Sequence, residues 1–340
     1  MNNKSKPSKH SVLSGVLAVV LSIGFSSGCR NQEILRLSND TVQVTVPSVS
    51  SRIISYGFLN DRNMLWQFDD AFEYRNAYGG WVNHGGEKTW IWRQDDWKDI
   101  TGRAWPPPDA CELVDSLKQI SPLCIETTSP LVAGYDVRVQ RTISLAASGT
   151  ALSIKARLLP GGSVGTLPQP FAPWSVIQVP AAADGYYLRS LANRPLNHVY
   201  LNSGKGLKEP LQIGDSPVWK LTRTGREHGK IGCDGDLLAI RYGAKLFVAV
   251  SLVPANEPFE PGARVQLYTT ADVSGQFSES VGPYSEIEFT APLKPCNTAT
   301  ENVLEVVWNL IRIPADYDDA AVAGLLADYR IELPESAHDE

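Results

Sequence analysis

The chain has 340 residues, 43% of them apolar, with 31 Lys and Arg set against 37 Asp and Glu. The formal net charge of −6 moves to near −9 once the first 28 residues, which hold Lys4, Lys6 and Lys9 and no acid, are set aside, and such a surface argues against a nucleic-acid partner. No G-x-S-x-G, P-loop or H-E-x-x-H occurs, which excludes the serine hydrolase, nucleotide and zincin sites that depend on those motifs.

The first expected element is a processing segment. Lys4, Lys6, Lys9 and His10 precede an apolar run, Val12 to Phe25, that ends in Ser26-Ser27-Gly28-Cys29. The run has the length of a signal h-region and is short for a membrane span. Residues 1–28 therefore read as a signal peptide of lipoprotein type, with Cys29 as the lipidation site and a membrane partner through the lipid anchor. Ser26 stands where a lipobox usually has Leu, so simple secretion and an uncleaved anchor stay open as alternatives. The expected location is the bacterial cell envelope, and the expected layout is a linker at 29–33, a β-sandwich domain at 34–313, and a C-terminal helix and tail at 314–340.

From Ile34 onward period-two alternation dominates. "LRLSNDTVQVTV" and "RIISYGFL" come first; "YDVRVQRTISL", "ALSIKARLL", "WSVIQV", "LLAIRY", "KLFVAVSLV", "RVQLYTT", "YSEIEFTAPL" and "LEVVWNLIRI" follow. β-branched and aromatic residues fill these runs and Gly, Pro, Asn or Asp clusters separate them, the pattern of a large antiparallel β-sandwich. Helical spacing is confined to Asp318–Tyr329, "DDAAVAGLLADY". Cys111 and Cys124 end the hairpin-like "CELVDSLKQISPLC", so they are expected to pair, leaving Cys233 with Cys296. No two cysteines are spaced as C-x-x-C, and the adjacent pairs Asp69-Asp70 and Asp95-Asp96 read as solvated loops, so neither metal nor cofactor is expected.

Chemistry concentrates in one stretch. Trp66, Trp81, Trp90, Trp92, Trp97 and Trp105 fall within 40 residues, around "NHGGEKTW". Indole packs on the apolar face of a sugar ring and neighbouring polar groups read its hydroxyls, whereas a core role for any single tryptophan is the plain alternative. On the sugar reading, Trp90, Trp92 and Trp97 floor a cleft with His84, Glu87, Lys88 and Gln94 as polar contacts; on an enzyme reading, His84 with Glu87, or with a late glutamate, are the candidate acid and base. Glu286 and Glu288 share one strand face at period two, and Trp174 lies in "APWSVIQV". His228, in "REHGKIG", reads as a loop histidine.

These blocks also carry a resemblance. "GGEKTW", Gln94, Trp97 and Thr101 to Pro108, then "APWSVIQV", "KIG" with "LFVAVS", and "YSEIEFTAPL", resemble a bacterial domain-of-unknown-function family numbered 4380, over roughly residues 34–313. That family resembles the galactose-mutarotase-like, or aldose 1-epimerase-like, β-supersandwich, which implies a carbohydrate ligand and a substrate-binding role for Lys88, Trp90, Trp92, Gln94, Trp97, Arg103, Trp174, Glu286 and Glu288. Related epimerases use a Glu and a His. His84 in "NHGG" resembles their first histidine; His198 in "NHVYLN" resembles their second but falls outside the expected strand, "FAPWSVIQV", which has no histidine. Three readings follow: a lipid-anchored carbohydrate-binding or carbohydrate-modifying protein, an epimerase-type or lyase-type enzyme, and a structural envelope lipoprotein.

Overall fold

The computed structural model describes residues 34–67, 83–105, 108–161, 170–181, 184–191, 198–254, 256–272, 282–295 and 301–331. The leader with Cys29, the Asp69-Asp70 pair, Trp81 and Cys296 lie outside them. In chain order the strands are β1 (Ile34–Ser38), β2 (Val42–Pro47), β3 (Ser55–Phe58), β4 (Glu87–Trp92), β5 (Ser116–Ser121), β6 (Cys124–Thr128), β7 (Val137–Leu145), β8 (Leu152–Pro160), β9 (Ala172–Pro180) and β10 (Tyr186–Ser190). Then come β11 (His198–Leu201), β12 (Leu211–Gln212), β13 (Val218–Leu221), β14 (Gly229–Cys233), β15 (Gly235–Tyr242), β16 (Lys245–Ser251), β17 (Val265–Thr269), β18 (Tyr284–Thr290) and β19 (Val303–Arg312). Helices are short: α1 (Trp97–Thr101), α2 (Ser203–Gly206) and α3 (Asp319–Ala327).

The strands form antiparallel sheets. One has ten strands in the order β12-β13-β10-β15-β16-β19-β8-β7-β6-β5; a second has six, β11-β14-β17-β18-β9-β4; β1, β2 and β3 make a third. Strand β7, "VRVQRTISL", buries alternate residues because only one of its faces meets the core. Strand β9 is buried at every position from Ala172 to Val179. That pattern requires cover on both faces: the ten-stranded sheet on one side, and loop segments on the other.

Inner and outer faces follow from contacts between the sheets. Glu87 on β4 meets Arg141 on β7, and Ser285 Oγ on β18 lies 2.6 Å from the Tyr186 hydroxyl on β10. Residues sharing alternation with Glu87 and Ser285 thus face inward, and Lys88, Trp90 and Trp92 face outward.

Helix α3 closes the opposite side of the ten-stranded sheet, where Val322, Ala323 and Leu326 pack on Tyr187, Leu237, Ala239 and Val248. Asp318 caps it, its Oδ1 accepting from the Ala321 amide at 2.8 Å, and Arg189 Nη1 donates to the carbonyls of Leu326 and Tyr329 near its end. The expected C-terminal helix is thus present, trimmed by a residue or two at each end.

The expected cysteine pairing is not formed. Strand β5 runs extended between the two positions, spanning roughly 17 Å at about 3.3 Å per residue, and the turn falls at its far end, where Ser121 opposes Cys124. Cys111 lies before the strand, in a 3-10 turn at Asp109–Glu112, so the two side chains are far outside disulfide reach. Cys124 instead receives a hydrogen bond from Ser144 Oγ at 3.2 Å, and Cys233 is a buried thiol held well above its ordinary pKa by desolvation.

Candidate functional site

The segment before β4 is shaped by two glycines. Gly85 and Gly86 have φ of 78° and 71°, in the left-handed region. A Cβ on Gly85 would stand 2.2 Å from the Trp66 carbonyl, and one on Gly86 would stand 2.3 Å from that of Ile53. Only glycine lets the backbone bond here, with the Gly86 amide donating to Trp66 O at 2.7 Å and Glu87 exchanging hydrogen bonds with Ile53. This fixes the register at which β4 enters the sheet.

Register across the six strands sets out the outer face in rows. Gln178, Glu286, Tyr268 and Lys230 stand directly opposite one another on β9, β18, β17 and β14. One pleat along, Lys88, Val176, Glu288, Gln266 and Gly232 form the next row. The third row begins with Trp90 and Trp174, followed by Thr290. A sheet face turned away from its partner sheet thus carries two lysines, two glutamates and two glutamines at its centre.

The face is nonetheless covered. Lys88, Gln178, Gln266 and Glu288 are fully buried, while Glu286, Tyr268, Lys230 and His228 are half-buried and mark where the row meets solvent. Trp174 Nε1 donates to Glu288 Oε2 at 3.0 Å and Lys230 Nζ to the same oxygen at 2.7 Å, with the ammonium 5.0 Å from the Trp174 ring centroid. Gln178 Nε2 donates to Glu286 Oε1 at 2.8 Å, and Lys88 Nζ lies 3.8 Å from that oxygen and 4.7 Å from the Trp90 ring. His228 Nδ1 is 2.8 Å from the Tyr268 hydroxyl. Lys88 Nζ, Gln178 Oε1, Gln266 Oε1 and Glu288 Oε1 have no hydrogen-bond partner within the described residues.

Burial dominates the electrostatics. Desolvation pushes the Glu288 carboxyl up to about 7, against the pull of Lys230 and with the push of Glu286. Desolvation likewise brings the Lys88 amine down to about 7, against the attraction of Glu286. A carboxyl and an amine that both titrate near neutral pH thus share one row of the outer face, with Val176 between them.

The tryptophans form one packed cluster. Trp90 meets Trp97, Trp105 and Trp174 edge-on, with ring centroids 5.8, 5.9 and 5.4 Å away, and Trp92 meets Trp174 at 5.2 Å. Trp97 on α1 is wholly buried and donates to the Ile91 carbonyl at 2.8 Å; Trp90 donates to Glu112 Oε1 at 2.7 Å and Trp92 to Glu260 Oε2 at 3.1 Å. The expectation of an open indole floor at Trp90, Trp92 and Trp97 is therefore corrected: these rings are buried and their indole N–H groups are bonded within the fold. Trp105, 40% exposed and stacked on Trp97, is the ring of the cluster that reaches solvent.

The two candidates for acid and base diverge. Glu87 points inward, accepting from Arg141 and, at 3.1 Å, from Ser175 Oγ; its carboxyl is raised by burial and pulled back by Arg141. It is an interior ion pair, so its carboxylate does not share a face with Lys88. His84 is exposed at the start of the segment. Gln94 is half-buried in a 3-10 turn and Arg103 is exposed after α1. Lys88, Trp174, Glu286 and Glu288 do come together. Lys230, Gln178, Gln266 and Tyr268 join them without having been singled out; in "GKIGC", Lys230 offers period-two spacing as the one available signal, and His228, expected as a loop residue, adjoins the row through Tyr268. Strand β11 begins at His198.

No known family profile matches the sequence, and no curated protein matches it. Solved structures do. The chain superposes on a galactose mutarotase-like protein from Lactobacillus casei with a TM-score of 0.51 and 10% identity, over 82% of this chain and 100% of that one. The fold is galactose mutarotase-like. An Escherichia coli K12 protein proposed to be an aldose 1-epimerase gives a TM-score of 0.52 at 10% identity, over 83% of this chain and 100% of that one. A proposed mutarotase from Salmonella typhimurium gives 0.52 at 8% identity, over 86% and 97%.

Proposed function

We propose that the chain is an exported, lipid-anchored protein of the cell envelope that binds a carbohydrate on the outer face of its six-stranded sheet, within the family its spaced sequence blocks resemble. The observation that carries the binding reading is the set of buried polar atoms on that face, Lys88 Nζ, Gln178 Oε1, Gln266 Oε1 and Glu288 Oε1, left without partners in the described residues. Each such atom costs about 1–3 kcal/mol if unsatisfied, and a site that holds several together is organised for a hydroxyl-rich ligand. A purely structural envelope role gives no reason to bury a lysine and a glutamate, with two glutamines, on the face remote from the partner sheet.

Acid–base chemistry at the anomeric carbon is the second reading, and Glu288 favours it. Near neutral pH it retains a proton that it can give to a ring oxygen, while the half-buried Glu286, two residues along the same strand and roughly 7 Å away, can accept the proton of the anomeric hydroxyl. Calorimetry with a panel of monosaccharides and their methyl glycosides tests binding. Polarimetry of freshly dissolved anomers tests chemistry: Glu288→Gln should keep binding within several-fold and lower the rate by 100-fold or more. Absence of saccharide binding to the folded mature chain would overturn both readings, and palmitate labelling that survives Cys29→Ala would overturn the anchor.

A further inference from the structure

Lys88 enters the binding reading as one of several buried unpartnered atoms, and neither reading gives its amine a chemical role. Its side chain is fully buried on the outer face, its Nζ lacks a hydrogen-bond partner among the described residues, and a carboxylate oxygen of Glu286 stands 3.8 Å away, beside the Trp90 ring. The other groups facing it are Arg52 and Glu112, which pair with each other at 2.5 Å, and Glu288 in the same row. Lys230 differs in kind: its side chain is 14% exposed and its ammonium is bonded to Glu288. A buried amine without a hydrogen-bond partner and with a carboxylate at hand is the arrangement of a Schiff-base lysine.

We infer that Lys88 is an amine nucleophile for the aldehyde of an open-chain reducing sugar, with Glu286 as its proton relay. The inference rests on the carbohydrate reading of the same face and narrows its ligand to aldoses with a free anomeric centre. The Nζ lone pair forms a bond to C1, the C=O π pair moves to O1, and O1 takes up a proton from solvent while Nζ gives one to Glu286. Glu286 returns that proton to O1, which leaves as water, and a C=N bond remains. The balance is one amine, one aldehyde and one proton giving one iminium ion and one water. Half of the Lys88 population being neutral near pH 7 makes the lone pair available without an outside base.

The test traps the imine by hydride addition. The folded mature protein is incubated at pH 7 with glucose or galactose and sodium cyanoborohydride, then digested and mapped by mass spectrometry. The expected result is a hexitol adduct on the Lys88 peptide, forming at least 10-fold faster than adducts on the exposed Lys98, Lys118 and Lys205. It should slow about 5-fold between pH 7 and pH 6, as the neutral fraction of the amine falls, and be lost in Lys88→Arg but retained in Lys118→Arg. Methyl galactoside and methyl glucoside, which bind but cannot open, are followed in parallel by saturation-transfer NMR. If a glycoside binds and Lys88 stays unmodified, or if adducts fall only on exposed lysines, the inference is overturned while the carbohydrate reading stands. If no sugar binds, both fall together.

Discussion

The Glu87 carboxylate on β4 receives its hydrogen bond from the Arg141 guanidinium on β7, and both side chains are fully buried between the two large sheets. Arg141 also donates to the Ser51 carbonyl, which brings the chain after β2 into the same junction. Removing one member strands an uncompensated charge, whereas replacing both removes the cost along with the attraction. Glu87→Gln and Arg141→Met should each lower stability by about 3–5 kcal/mol in urea melts, and the double variant by less than the sum. A Glu87→Gln protein of full stability with lost sugar turnover would instead place this carboxylate in the chemistry.

Opposite pKa displacements predict an unusual pH profile. Glu288 is raised from 4.5 to about 7, so the folded state binds more protons than the unfolded one between those values, and stability falls as pH rises through that window. Lys88 is lowered from 10.5 to about 7, so the folded state binds fewer protons there, and stability climbs as pH rises from 7 toward 10.5. Together they contribute a dip near neutral pH. Thermal melts from pH 5 to 10 should show it, Glu288→Gln should flatten the acid limb, and Lys88→Met the alkaline one. A saturating ligand should fill the dip by offsetting the desolvation of both groups.

Within the tryptophan cluster, position decides the outcome of truncation. Trp97→Ala removes a wholly buried ring and the anchor of α1, and should cost about 3–5 kcal/mol of stability. Trp105→Ala removes a ring with 40% of its surface in solvent and should change stability by no more than about 1 kcal/mol. If the saccharide reaches past the sheet rows onto that ring, Trp105→Ala should weaken binding by roughly 1–3 kcal/mol. Chemical denaturation and calorimetry on the two variants separate these effects.

Much of this architecture is legible from period-two alternation alone, including β7, β8, β15, β16, β17, β18 and β19, as well as the capped C-terminal helix. Glu286 and Glu288 could be found because they share a strand, where spacing alone puts them on one face. Lys230, Gln178, Gln266 and Tyr268 could not, since their adjacency depends on the register between strands far apart in the chain. Glu87 and Lys88 show the same limit from the other side. Strand β4 is buried on both faces, so its sequence has no polar face to say which neighbour points inward. The cysteines misled because a short segment with a cysteine at each end suggests a loop, and nothing local shows that half of it runs as one extended strand.

Backbone geometry at the entry to β4 supplies a further test. Gly86→Ala asks a left-handed residue to place a methyl group 2.3 Å from the Ile53 carbonyl, while Gly243→Ala, at φ 59°, meets open space. The first should cost more than about 3 kcal/mol or prevent folding, and the second about 1 kcal/mol. Circular dichroism melts of both variants give the comparison directly.

The rows of the outer face draw on residues 88, 178, 230, 268 and 288, so this polar surface is spread over about 200 positions of chain. Every pairing in the six-stranded sheet is non-local, and β18 lies at its centre, between β17 and β9. On an emerging polypeptide the surface therefore does not exist until the eighteenth strand has left the ribosome, and collapse of the earlier strands leaves two of its inner edges unpaired. Slow folding with a late, all-or-none gain of ligand binding is the kinetic signature of this topology, and chains truncated before residue 284 should aggregate through those open edges rather than bind weakly.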